Sequence, residues 1–213
     1  MPIKATEITD KLNGEWQVQL FETCFKAPIP FCFGCLCPCC MVCLQRKEIL
    51  EIVGEPYVCC GGMFPCGPLG SPQNENCLYL EGCCCTGCAI SANRYIIQTR
   101  FNKRNTACDD CILWAVCIAN LLVCIGQFVC EDMPEGLEEC VDCATMIVDG
   151  CMLAQHDVEL KHIKSNGYQG PASNLVAALP PLQQQMISQG KPGGMVAGAA
   201  VIGAGGAGMA GYK

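Results

Sequence analysis

Residues 24–44 read CFKAPIPFCFGCLCPCCMVCL, and the prolines in this run decide how the chain can fold. Pro28, Pro30 and Pro38 rule out one continuous helix, because proline has no amide hydrogen and its ring clashes with the preceding turn. The stretch after Pro38 is free of that restriction. It predicts a helix continuing through Gln45, Arg46, Lys47, Glu48 and Leu50. Before the run, Trp16–Phe21 allows a short strand or helix. After it, Pro56 and the Gly/Pro cluster at 61–72 mark an irregular loop.

The same grammar recurs downstream. CLYLEGCCCTGCAIS at 77–91 leads into a polar, helix-compatible stretch, ANRYIIQTRF. A weaker third instance is Cys151 leading into Gln155, His156 and Glu159. In this internal echo Cys40–Cys43 feeds Gln45, Arg46 and Glu48, as Cys85–Cys88 feeds Asn93 and Arg94. Short apolar segments that each pass from a greasy layer to water would produce this pattern.

The run CILWAVCIANLLVCIGQFVC, 111–130, has 20 residues with no charge and no proline. About 20 apolar residues cover a hydrocarbon core of ~30 Å, so the run is expected to span a membrane; a buried amphipathic helix is the alternative. Arg94, Arg100, Lys103 and Arg104 precede it, which places residues 94–104 on the cytosolic side. An acidic loop, EDMPEGLEE, follows, and then CVDCATMIVDGCMLAQHDVELKHIK, in which Gly150 weakens helix propensity.

Composition narrows the class. Cysteine supplies 23 of 213 residues, while charged residues reach only 15%. That is well short of the about 25% charge of ordinary soluble domains and beyond the cysteine level of ordinary chains. The net charge of −7 argues against nucleic acid, whose phosphates need a basic surface. The opening MPIKATEITDKLNGEWQ lacks a signal-peptide core, Pro2 excludes N-myristoylation, and GYK is not a prenylation box. A reducing, cytosolic setting is therefore expected for most of the thiols, and disulfides are not the default. The resulting expectation is a mainly α, small, cysteine-rich, membrane-associated helical domain with irregular Cys/Pro/Gly loops. A polar lead covers 1–15, the domain 16–164, and a disordered or linker-like Gly/Ala/Pro/Gln tail 165–213.

Chemistry concentrates in the thiols. The pairs Cys32/Cys35, Cys37/Cys40, Cys40/Cys43, Cys85/Cys88, Cys108/Cys111 and Cys140/Cys143 all have Cys-x-x-Cys spacing. That spacing lets two thiolates reach one tetrahedral Zn²⁺. Three fates stay open: metal or redox chemistry, plain packing of a small hydrophobe, and S-acylation beside a membrane. Candidate metal ligands are Cys37, Cys39, Cys40, Cys43, Cys85, Cys88, Cys108, Cys111, Cys140, Cys143 and Cys151. Asp149 and His156 join them, because Asp142, Asp149 and His156 repeat every seven residues on one helical face. The bland reading of that face is a solvated acidic one.

A second spacing lies in the apolar run. Cys117, Asn120, Cys124 and Gln127 form one helical stripe, with Glu131 continuing it. Lipid cannot satisfy such groups, so the stripe should face other helices or a watery path. Ordinary interhelical hydrogen bonding would need no path. Enzyme signatures are missing from the sequence: no G-x-S-x-G, no H-E-x-x-H, histidine only at 156 and 162, and no Lys-Ser/Thr after GAGGAG. No βαβ alternation supports a thioredoxin-like site. The expectation is a non-enzyme.

FCFGCLCPCCMVCLQ, TRFNKRNTACDDC and CMLAQHDVELK, in this order, resemble the placenta-specific-8-like cysteine-rich family, which includes plant cadmium-resistance and cell-number-regulator-like proteins. Trp16, Cys37–Pro38–Cys39, Arg100–Phe101–Asn102, Cys108–Cys111, and Cys151, Gln155, Glu159 and Leu160 carry the likeness across Trp16–Lys164. The chain departs from the family in an insertion around Glu131–Glu139 and in Ala154, where the family often has a second cysteine. The resemblance implies a plasma-membrane protein that forms homo-oligomers. It implies zinc or cadmium transport or resistance on one side and a regulatory or scaffold role on the other.

Overall fold

The computed structural model describes residues 8–63, 74, 76–129 and 136–190. Among them the structure is mainly helical, with no strand. After a 3₁₀ turn at Leu20–Glu22 and one helical turn at Thr23–Lys26 come seven helices of eight residues or more. They are α1 (Pro28–Leu36), α2 (Pro38–Val53), α3 (Asn76–Cys84), α4 (Thr86–Phe101), α5 (Ala107–Val129), α6 (Leu137–Asn166) and α7 (Pro181–Gln189).

The prolines act as predicted, with one refinement. Pro28 and Pro38 each occupy a first helical position, where the missing amide hydrogen costs nothing. They start helices as well as ending them. Between α1 and α2 the chain bends by 119°, pivoting on Cys37 at φ −142° and ψ 65°.

Helices α2, α4 and the C-terminal half of α6 pack on one another. Their N-terminal parts share one apolar cluster, with Met41, Val42, Ala89, Ile90, Cys151 and Leu153. Their C-terminal parts share another, with Ile49, Ile52, Ile96, Ile97, Leu160 and Ile163. All three helices therefore run in the same direction. Between the clusters lie Gln45–Arg46, Asn93–Arg94 and Gln155–His156, all buried.

This layer is knit by directed bonds. Arg46 Nε donates to Asn93 Oδ1, and Asn93 Nδ2 donates to the Val42 carbonyl at 2.9 Å. Gln45 Nε2 donates to the Leu153 carbonyl at 2.7 Å. Arg94 Nη1 donates to Gln155 Oε1 at 2.7 Å. Arg46 also reaches Glu81 at 3.2 Å, both side chains being buried. Glu81 accepts from Tyr57 Oη at 2.6 Å and from the Cys60 amide at 3.0 Å, which ties the chain after α2 to α3. Lower down, Glu55 takes a two-pronged bond from Arg100, 2.6 and 2.8 Å. Buried polar groups in low dielectric are costly unless partnered, so these bonds select one register for the three helices.

Two expectations change. Gly150 does not interrupt α6, which runs from Leu137 to Asn166. Instead it lets α1 approach: a Cβ on Gly34 would lie 3.2 Å from the Gly150 Cα. The tail read as disordered or linker-like is in part folded. A turn at Ser173–Val176 and α7 bury Leu175, Leu179 and Met186. The described part of the polar lead, residues 8–15, is docked, since Ile8 and Leu12 form a small cluster with Leu175 and Leu179. Residues 64–72 of the expected loop, the stripe's extension to Glu131, and the Gly/Ala end lie outside the described residues.

Helix α5 is long and apolar enough to cross a membrane, and none of its most apolar window is buried against the rest of the chain. Exposed Phe25, Ile29, Leu36, Leu80, Trp114, Leu121, Leu122, Phe128 and Ile147 cluster on α5, the start of α6 and the elements at the hinge end of the bundle. The opposite end exposes Lys47, Glu51 and Lys161.

Removing one partner of a buried ion pair strands the other charge, typically at about 3–5 kcal/mol. Arg46→Met should therefore lower stability by that order, read as the unfolding midpoint in detergent. Arg46→Met combined with Glu81→Gln should recover part of the loss.

Candidate functional site: the thiols at the helix hinge

Cys37, Cys39 and Cys40 meet at the bend between α1 and α2. Their sulfur atoms all lie within 4.8 Å of one another, with Cys40 exposed and the other two half-buried. Local structure explains the convergence. Cys37 is the hinge residue, and Pro38 starts α2, so Cys39 and Cys40 fall on its first turn. Amides in that turn have no preceding turn to bond, and a helix N-terminus favours negative charge. Cys37 and Cys40 also stand as a disulfide pair, Cα–Cα 5.5 Å, with Cys39 Sγ 3.9 Å from Cys37 Sγ. The donor set thus has two chemical forms. Three thiolates suit a soft divalent ion; a disulfide plus one thiol does not.

The other sequence candidates scatter. Cys43, one turn further on, is buried and directs its thiol to the Leu78 carbonyl at 3.7 Å. Cys151 is buried in the core, and its carbonyl accepts from Thr23 Oγ1 at 3.3 Å. Cys85 and Cys88 are exposed at the start of α4, Cys108 and Cys111 at the start of α5, and Cys140 and Cys143 near the start of α6. None of these belongs to a three-ligand group among the described residues.

The Asp142/Asp149/His156 face does not assemble. Seven residues of α-helix rise about 10 Å, too far for two side chains to share one ion comfortably. Asp142 is exposed, Asp149 half-buried and His156 fully buried. His156 instead stacks on Trp16, centroids 5.9 Å apart, and Arg94 lies 4.6 Å from the centre of the same indole. Neither ring nitrogen has a hydrogen-bond partner among the described residues. Burial, then the neighbouring Arg94, holds the imidazole well below its ordinary pKa. Burial also lowers Arg94 to about 10. Below His156, Glu159 holds Lys103 at 2.9 Å and the Gln17 amide at 3.1 Å. The early tryptophan and the Gln-x-x-x-Glu of the family likeness thus serve the core.

On α5, Asn120 donates to Thr145 Oγ1 at 2.8 Å and to the Val116 carbonyl at 2.9 Å. It fastens α5 to α6, the ordinary interhelical role. Cys117, Cys124 and Gln127 of the same stripe stay exposed.

Sequence reading missed the polar layer. One signal was available: an amide followed by an arginine, Gln45–Arg46 and Asn93–Arg94, recurs behind each cysteine run. Glu81 gave no signal, since it sits unmarked in LEGCC.

No family model, no curated protein and no solved structure matches this chain.

His156 carries a pH signature. Its folded pKa is depressed, so the unfolded chain binds the extra proton below about 6.5. Stability is full above that pH and falls as pH drops toward the folded value. Thermal unfolding from pH 7.5 to 5.5 should show this loss, up to about 1.4 kcal/mol per pH unit from one proton. His156→Gln should remove this loss, and the difference between the two proteins isolates it from Asp149, whose carboxyl burial raises to about 6 and which adds stability as pH falls through the same window.

Proposed function

We propose that this chain is a membrane-associated protein of the placenta-specific-8-like kind that binds a soft divalent ion, of the zinc and cadmium class, through Cys37, Cys39 and Cys40. In this reading it acts in heavy-metal transport or resistance at the plasma membrane as a homo-oligomer, without catalysing a reaction. The convergence of three sulfur atoms within 4.8 Å at the hinge carries the reading. Helix α5, long and apolar enough to cross a membrane, supports the membrane setting. A partner copy follows from Cys117, Cys124 and Gln127, polar groups that lipid would leave unsatisfied. Residues 94–104, behind the α5 entry, lie on the cytosolic side by their positive charge. Other exposed thiols next to apolar surface suit S-acylation.

A second reading, a regulatory or scaffold protein with structural thiols, draws on the Cys37–Cys40 pairing. A disulfide and a bound ion exclude each other, so the two readings separate experimentally. Protein purified in detergent under reductant should carry about one equivalent of zinc by elemental analysis. Cys37→Ser/Cys39→Ser/Cys40→Ser should lose most of it. Equal zinc in both proteins would overturn the metal reading and leave the scaffold one.

A further inference from the structure

Two segments of this chain share one construction. Helices α1 and α2 run 28–36 and 38–53, with hinge Cys37 and a left-handed cap at Gly54. Helices α3 and α4 run 76–84 and 86–101, with hinge Cys85 and a left-handed cap at Asn102. Every boundary in the second set is the corresponding number in the first plus 48.

The backbone agrees at the pivot. Cys37 has φ −142° and ψ 65°, and Cys85 has φ −137° and ψ 50°. The same two bonds straddle each hinge. The Cys37 amide donates to the Phe33 carbonyl and Met41 to Cys37, at 2.9 and 3.1 Å. The Cys85 amide donates to Glu81 and Ala89 to Cys85, both at 2.9 Å. The side chains follow. GCLCPCC at 34–40 matches GCCCTGC at 82–88, a shared Gly-Cys-x-Cys-x-x-Cys. Gly34 and Gly82 are both close-approach points: a Cβ would lie 3.2 Å from Gly150 Cα in one and 3.4 Å from the Cys39 carbonyl oxygen in the other. The buried pairs Gln45–Arg46 and Asn93–Arg94 occupy the same register. The partner of Cys85–Cys88 is therefore Cys37–Cys40, three residues before the Cys40–Cys43 that the sequence echo suggests.

We infer that residues 28–54 and 76–102 are two copies of one helix–hinge–helix unit, and that Cys85 and Cys88 form a second, weaker soft-cation site equivalent to the first hinge. The inference rests on the reading of the first hinge as a metal site. Cys83, Cys85 and Cys88 of the second unit are exposed, so an ion in solution can reach them. The second unit has Gly87 where the first has Cys39, which removes one sulfur from the set and sets the order of affinities. Space for that sulfur exists, because a Cβ on Gly87 would meet nothing within 4 Å.

The test is a Cd²⁺ titration of the full reduced chain in detergent, followed by thiolate-to-cadmium charge-transfer absorbance against a competing chelator. Wild type should show a tight step and a weaker one. Cys85→Ser/Cys88→Ser should abolish the weaker step and leave the tight one. Gly87→Cys should tighten the weaker step by about tenfold or more, since a third thiolate joins the set; a gain of this kind is not produced by misfolding. A weaker step that survives Cys85→Ser/Cys88→Ser, or that Gly87→Cys leaves unmoved, overturns the second site. A tight step that survives loss of Cys37, Cys39 and Cys40 overturns the first-hinge reading instead, whatever happens to the weaker one.

Discussion

The structure depends on Arg46. Its guanidinium is buried, and it spans from α2 to Asn93 on α4 and to Glu81 on α3. A charge removed from water is tolerable only where its bonds are completed nearby. In this register Arg46 Nε meets Asn93 and Nη2 meets Glu81 and the Ala89 carbonyl, while Nη1 has no hydrogen-bond partner among the described residues; a shifted register would strand the other donors as well. The apolar clusters above and below it supply most of the drive to associate, but they are permissive about sliding. The hydrogen-bonded layer is not. Arg94 and Gln155 close the ring on the α6 side, and Trp16 brings the N-terminal segment onto the same level through Arg94 and His156.

Holding the helices level has a consequence for the cysteines. Both hinges, Cys37 and Cys85, lie eight residues before the layer on helices of equal length. They are presented together at the end of the bundle where the exposed apolar side chains gather. Thiols on the core-facing side of a helix instead have their space filled by neighbours. Cys43 and Cys151 are of this kind: both are buried and behave as small hydrophobes.

Much of the helical plan is legible in the residues. The proline positions place the α1–α2 break, and the charge-free run places α5, because both effects are local. The site is legible only in part. Cys-x-x-Cys spacing marks six pairs equally, yet among the described residues three sulfurs converge only around Cys37, since Cys39 and the bend add what spacing cannot encode. The seven-residue repeat of Asp142, Asp149 and His156 misleads for the converse reason. Periodicity reports a shared face, not proximity along it, and burial of His156 against Trp16 comes from a segment 140 positions earlier. The tail's low charge suggests disorder, but Leu175, Leu179 and Met186 are enough to dock it. Isolated apolar residues at tertiary contacts carry no local signature.

If the first hinge holds a soft ion through three sulfurs, the ligand atoms around that ion can be counted. Zinc K-edge X-ray absorption on reduced protein loaded with one equivalent of Zn²⁺ makes that count. About three sulfur neighbours near 2.3 Å from the zinc are expected, one fewer in Cys39→Ser. Oxygen and nitrogen neighbours only, or a sulfur count unchanged in Cys39→Ser, would rule out the three-sulfur site.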